Sequence, residues 1–316
     1  RALLSSDLAI DGVVNGDSMK MAFDSVLDKL YNGGTGTTAN QITAKDWKDR
    51  GDFLFFHGDR EEAVRVYQEA LKLKPDYKEA QMTLLNLYMQ QSNFESAIKL
   101  ARSILEREPK NKELHLVLGN LLRTQKRFDE SINELKLAAQ LGAREHLVKQ
   151  GLGYAYLQKG ELEEADRHLR DSARKTDSAD TKLALAIINF RKGRKEEALN
   201  EIDGAIKERK DFTEAHGLKG DILSSLDRQE EAASAYQTAI NLRTKSASAY
   251  TYMAARALKA GDQAKAQTYL ESALLNKPDD TAVKSALAFL ASRQEEKLKE
   301  TDSVTFFGFA YKDLLK

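Results

Sequence analysis

The chain contains no cysteine, which excludes a disulfide framework, cysteinyl zinc and a thiol nucleophile. It also carries no net charge, because 49 Asp and Glu offset 49 Lys and Arg. No global basic field is therefore available to hold a phosphate backbone or an anionic bilayer, and nucleic acid is not an expected ligand. No stretch approaches the roughly 20 apolar residues of a membrane-spanning helix, so no membrane span is expected. Proline is scarce, with three in 316 residues, and long helices can run uninterrupted. Hydrophobic residues at 41% against 31% charged supply a packed core, unlike the apolar-poor composition of a disordered chain. The first residue is Arg1 rather than Met. The chain therefore reads as a fragment or processed form, for which a cytoplasmic location is the working expectation.

What the sequence does have is a period. Small residues fall at Ala63, Ala97, Ser131, Ala165, Ala198, Ala232 and Ala266, spaced by 34, 34, 34, 33, 34 and 34. Twelve residues before each stands Gly51, Leu85, Gly119, Gly153, Ala186, Gly220 or Ala254, and seven after stands Ala70, Ile104, Ala138, Ser172, Ala205, Ala239 or Ala273. All three prolines, Pro75, Pro109 and Pro278, share one slot five residues further on. A fixed period of this length marks stacked supersecondary units rather than two globular domains.

Each unit reads as two antiparallel helices. Between the first two small slots lie turn-prone runs such as His57-Gly58-Asp59, Gln91-Ser92-Asn93, Lys159-Gly160-Glu161 and Lys192-Gly193-Arg194, where Gly or Asn can take the left-handed conformation that ends a helix. Helices joined so tightly pack side by side, and at an axial approach of about 8 Å only Gly, Ala or Ser fits at the crossing. Bulky residues such as Trp47, Leu54, Tyr67, Tyr88 and Tyr156 fill the remaining interhelix space.

The run Trp47, Gly51, Leu54, Gly58, Ala63, Tyr67, Ala70, Pro75 resembles the tetratricopeptide repeat signature. The resemblance extends over 44–77, 78–111, 112–145, 146–178, 179–212, 213–246 and 247–280, that is, over 44–280. The third to sixth units lack the terminal Pro. The family implies an all-α fold: a right-handed superhelical solenoid of antiparallel helix pairs, with a concave groove lined by the first helix of each pair. Residues 281–300, with apolar Val283, Leu287, Phe289, Leu290 and Leu298, read as the capping helix that an open solenoid end needs.

Residues 1–43 do not repeat. Leu8 to Val14 is apolar and short enough for a strand, Met19, Phe23, Val26, Leu27 and Leu30 recur at helical spacing, and Asn32 to Thr38 reads as a linker. A strand, a helix and a linker are similar to the closing β-α element of a response-regulator receiver domain, although Asn15-Gly16 stands where that family has Lys-Pro. The segment is therefore expected either to cap the repeats or to end a receiver-like domain. At the other end, 301–316 carries the aromatic tail Phe306, Phe307, Phe309 and Tyr311, which is expected to dock on apolar surface, in its own chain or in a second copy.

No catalytic constellation emerges. His57, His115, His146, His168 and His216 occupy different units without ligand spacing for a metal. The Gly/Thr-rich run Gly33 to Thr38 lacks the Lys of a phosphate-binding loop. Paired carboxylates recur at the start of second helices, as in Glu163-Glu164 and Glu230-Glu231, where they complement the helix dipole. The expectation is a non-enzyme, with no cofactor and no metal.

The remaining candidate is the groove. Projecting the first helices places Lys48 and Asp52, then Met82 and Asn86, then Asn120 and Arg123, then Tyr154, and then Ile187 and Phe190 on the concave side. Met89, Gln150, Leu157, Leu183, Asp221 and Ser224 project beside them, with interhelix core the competing place for Leu157 and Leu183. Some proteins of this family clamp a C-terminal carboxylate of heat-shock chaperones with Lys and Asn. That clamp is broken here, because Asp52 replaces an Asn, Thr83 stands in the second unit's slot, and Glu113 and Val117 replace cations. A polar Asn86/Asn120 ladder that bonds peptide backbone, next to an apolar Tyr154–Ile187–Phe190 centre, suits a partner peptide or helix. The expected function is a protein-interaction scaffold. The alternative is the adaptor part of a signalling or enzymatic protein whose active domain lies upstream.

Overall fold

Thr43 begins the first helix by a reciprocal cap: its hydroxyl accepts the Asp46 backbone N–H at 3.2 Å while the Asp46 carboxylate accepts the Thr43 N–H at 2.9 Å. A computed structural model describes residues 42–295; the receiver-like reading of the N-terminal segment and the tail Phe306, Phe307, Phe309 and Tyr311 fall outside the described residues. Within them the chain is helix and turn throughout, in two compact units that divide after Gly142.

The first unit holds α1 (Ala44–Phe56), α2 (Arg60–Leu73), α3 (Lys78–Gln90), α4 (Phe94–Leu105), α5 (Lys112–Thr124) and α6 (Phe128–Gln140). Its core joins Tyr67, Leu84, Leu85, Leu87, Ile98, Leu118 and Leu122. The second holds α7 (Glu145–Lys159), α8 (Leu162–Ala173), α9 (Ala179–Arg191), α10 (Lys195–Glu208), α11 (Thr213–Ser225), α12 (Gln229–Asn241), α13 (Ala247–Lys259), α14 (Gln263–Asn276) and α15 (Thr281–Glu295). Its cores are built on Ile202, Phe212, Ile222, Tyr236 and Tyr252, and on Leu270, Val283 and Leu290. In both units consecutive helices pair as antiparallel hairpins, and in the second the first helices of successive hairpins also touch one another.

The small slots lie where hairpin partners meet. A β-carbon at Gly119 would stand 2.7 Å from Leu135 Cγ, and one at Gly153 2.5 Å from Leu169 Cγ, so only a hydrogen fits at these crossings. Ala63, Ala97, Ala165, Ala198, Ala232 and Ala266 are all fully buried on the facing helices.

Every hairpin turns through one residue with positive φ: Gly58, Ser92 and Lys126 in the first unit, and Gly160, Gly193, Asp227 and Gly261 in the second. In the second hairpin the left-handed residue is Ser92 (φ 56°) and not Asn93. Asn93 is engaged elsewhere: its side-chain oxygen accepts the Ser96 N–H at 3.3 Å and caps α4. Second helices then begin with acidic first turns, Glu61 and Glu62, Glu163 and Glu164, Glu196 and Glu197, Glu230 and Glu231, which favours them against the helix dipole.

A further repeated contact ties four of the loops between hairpins to the helix that follows. Side-chain nitrogens of Gln81, His115 and His216 and the Tyr250 hydroxyl bond the carbonyl six residues earlier, at Pro75 (2.6 Å), Pro109 (3.0 Å), Lys210 (2.9 Å) and Thr244 (3.2 Å). The side chains differ but each has a donor at the same reach, so the carbonyl left over from the turn is satisfied in every case.

Candidate protein-binding faces

One slot on the first helix of each hairpin recurs with the repeat period. In the first unit it holds Asp52, Asn86 and Asn120, and in the second Tyr154, Ile187, Asp221 and Ala255, each 33 or 34 residues from the last. The neighbours of this slot are consumed by folding: Leu84, Leu85, Leu87 and Tyr88 surround Asn86 and are buried, as are Leu185, Ala186 and Ile188 around Ile187. Asn86, Asn120, Tyr154 and Ile187 themselves stay half-exposed.

The first unit's face is polar. Asn86 makes no side-chain hydrogen bond among the described residues, and Met82 lies half-exposed one turn before it. Asn120 donates its amide N–H to the Leu116 carbonyl at 3.1 Å, which leaves its amide oxygen as the acceptor it can offer. Arg123 is half-exposed one turn on. Lys48 and Asp52 pair with each other at 2.6 Å, and Asp52 accepts the Tyr67 hydroxyl at 2.5 Å. Burial alone would pull the Lys48 ammonium down, but the bond and charge of Asp52 outweigh it and hold the group above its usual range. Burial, reinforced by Asp52, pushes the Tyr67 phenol far above the tyrosine range. These two groove candidates are therefore engaged internally.

The second unit's face is apolar at Tyr154 and Ile187, with Phe190 half-exposed and packed against the edge of the α9–α13 core. Leu183 packs on that same core, and Leu157 is buried, so both belong to the interhelix packing. Gln150 is buried as well and donates to the Thr181 hydroxyl at 3.4 Å; in the first unit Met89 is buried likewise. Met89, Gln150 and Leu157, one turn along from the open slot, thus turn into the stack, while Met82, Arg123 and Phe190 stay half-exposed.

Asp221 continues the slot. Its Oδ1 accepts both the Tyr236 hydroxyl at 2.7 Å and the Ser248 hydroxyl at 3.0 Å. Burial raises its carboxyl above the ordinary value of 3.8 against the opposing pull of those two bonds. An Asp in the open slot and a Tyr fifteen residues later occur together in only two hairpins, as Asp52/Tyr67 and Asp221/Tyr236. That pairing is readable in the sequence, yet sequence reasoning attached no role to it.

The sequence matches two family models, described as tetratricopeptide repeat over residues 55–121 and 88–148 and as tetratricopeptide repeat-like domain over 123–253. The chain belongs to the tetratricopeptide repeat family. Solved tetratricopeptide structures share its fold. A tetratricopeptide repeat protein from Parabacteroides merdae ATCC 43184 aligns with TM-score 0.63 at 14% identity, over 78% of this chain and 98% of that one. A chain of the Cut9–Hcn1 hetero-tetramer of the APC/C aligns with TM-score 0.62 at 15% identity, over 87% of this chain and 52% of that one. The pilF protein of Pseudomonas aeruginosa aligns with TM-score 0.57 at 17% identity, over 66% of this chain and 96% of that one. No curated protein matches the sequence. The fold is the all-α solenoid of antiparallel helix pairs, and tetratricopeptide repeats generally mediate protein–protein interaction as non-catalytic scaffolds. Among the described residues no three His, Asp or Glu side chains converge as metal ligands, and no helix is long and apolar enough to cross a membrane.

Proposed function

We propose that this chain is a non-catalytic scaffold that holds a segment of a partner protein against the open slots of its odd-numbered helices. The observation that carries the reading is the half-exposed slot, filled by Asn86 and Asn120 in one unit and by Tyr154 and Ile187 in the other, on helices whose adjoining residues are buried. These four side chains keep part of their surface open, and their chemistry differs between the units. Asn side chains donate to and accept from an extended backbone without reading its sequence, whereas Tyr154, Ile187 and Phe190 suit the apolar side of a helix or strand.

A partner recovered with the intact protein tests this directly. Replacing Asn86 and Asn120 together by Ala, or Ile187 by Ser, is expected to weaken that partner roughly tenfold or more, as loss of a central interface contact does. Because the slots are solvent-facing, stability is expected to move by only about 0.5 kcal/mol per Asn site. Undiminished binding by both variants would reject the proposal.

A further inference from the structure

Asp52 and Asp221 occupy the same position 169 residues apart, and so do their hydroxyl donors Tyr67 and Tyr236. The two carboxylates differ in what neutralises them. Lys48, one turn before Asp52, sits 2.6 Å from Asp52 Oδ2. The residue one turn before Asp221 is Gly217, and a β-carbon there would meet nothing nearer than Ser246 Cβ at 3.7 Å. Where the first hairpin carries Asp49 and, on the following helix, Glu79, the later one has Leu218 and Ser248. Both hydroxyls that reach Asp221 go to Oδ1, and Ser248 is itself bonded to the Ser246 hydroxyl at 2.7 Å. Oδ2 takes no partner among the described residues, no cation pairs with this carboxylate there, and the residue keeps part of its surface open.

We infer that Asp221 is a docking point for a lysine ammonium of the partner segment, which occupies the space above Gly217 that Lys48 fills beside Asp52. A buried carboxylate without a counter-charge is costly, and a cation bound to its free oxygen relieves that cost. Leu218 and the absent side chain of Gly217 leave room for an aliphatic stem to reach it. The inference rests on the proposed scaffold reading and adds a specificity to it: in the second unit, a partner with apolar residues for Tyr154 and Ile187 and a lysine in register with Asp221.

The test needs no partner. The full chain, labelled for amide NMR, is titrated with Nα-acetyl-lysine methylamide to tens of millimolar, in parallel with the norleucine and arginine analogues. The expected result is saturable shifts confined to α11–α13 with the lysine compound, absent with norleucine and weaker with arginine. Asp221→Asn, which keeps an oxygen for Tyr236 and Ser248, is expected to lose the response, and so is Gly217→Lys, which supplies the cation internally. No saturable shift, or an equal one in Asp221→Asn, would overturn the inference. Either result leaves the Asn86/Asn120 and Ile187 tests intact, so failure here is distinguishable from failure of the scaffold reading.

Discussion

Gly220 lets the ring of Tyr236 lie directly on the backbone of α11: a β-carbon at Gly220 would stand 2.5 Å from Tyr236 Cδ1 and Cε1. One turn earlier, a β-carbon at Gly217 would meet only the Ser246 side chain, Cβ at 3.7 Å and Oγ at 3.9 Å. Gly220→Ala is therefore expected to cost roughly 1–3 kcal/mol through overpacking, even though Ala is the better helix former by about 1 kcal/mol. Gly217→Ala is expected to gain about 0.5–1 kcal/mol. Urea unfolding of the two variants checks the contrast, and equal effects would contradict the assigned crossing.

The hairpin turns make a second prediction. Lys126 is held at φ 58° where other turns place Gly160 or Gly193, and an L-residue pays about 1–2 kcal/mol in that region. Lys126→Gly is expected to raise stability, by up to about 1 kcal/mol after the greater freedom of glycine in the unfolded chain is subtracted. Gly160→Ala, with no atom near its β-carbon but φ 93°, is expected to lower stability by about 1 kcal/mol. Paired thermal melts decide it.

Asp221 gives a pH prediction with a definite sign. Its folded carboxyl titrates above the unfolded value of 3.8, so between those two points the native state binds more protons than the unfolded one. Stability then falls as pH rises through that window and stays lower at neutral pH. Asp221→Asn keeps the acceptor for Tyr236 and Ser248 and removes the titration. The variant is expected to be at least as stable as the parent at pH 7 and to lose that advantage as pH falls through the window, so that its acid limb is the steeper of the two. A variant that is less stable at pH 7 with an unchanged acid limb would contradict the assignment.

The helical pairing could be read from small residues at 34-residue spacing because steric exclusion at a crossing, as between Gly153 and Leu169, leaves only one kind of side chain possible. The turns were legible where glycine marks them and obscure where it does not. Ser92, Lys126 and Asp227 adopt the same left-handed backbone because the helices on either side over-determine it, and local sequence does not announce such strain. Asn93 was ambiguous for a different reason, since one residue type suits both a left-handed turn and an N-cap. Among the groove candidates, periodicity set the face but not the depth. Leu157 and Tyr154 lie three residues apart, and the first is buried while the second is half-exposed, a difference fixed by the neighbouring hairpin. The engagement of Asp52 by Tyr67 was likewise invisible without the second helix in place, whereas its pairing with Lys48 lies within one helix.

Position-resolved photo-crosslinking tests the central claim most directly. Benzoylphenylalanine is placed singly at Met82 in α3 and Ile187 in α9, and as controls at the exposed Lys136 in α6 and Asn200 in α10. The account predicts that a saturable partner is captured from Met82, from Ile187 or from both, and not from Lys136 or Asn200. Capture from Lys136 and Asn200 alone, or equally from all four, would contradict it.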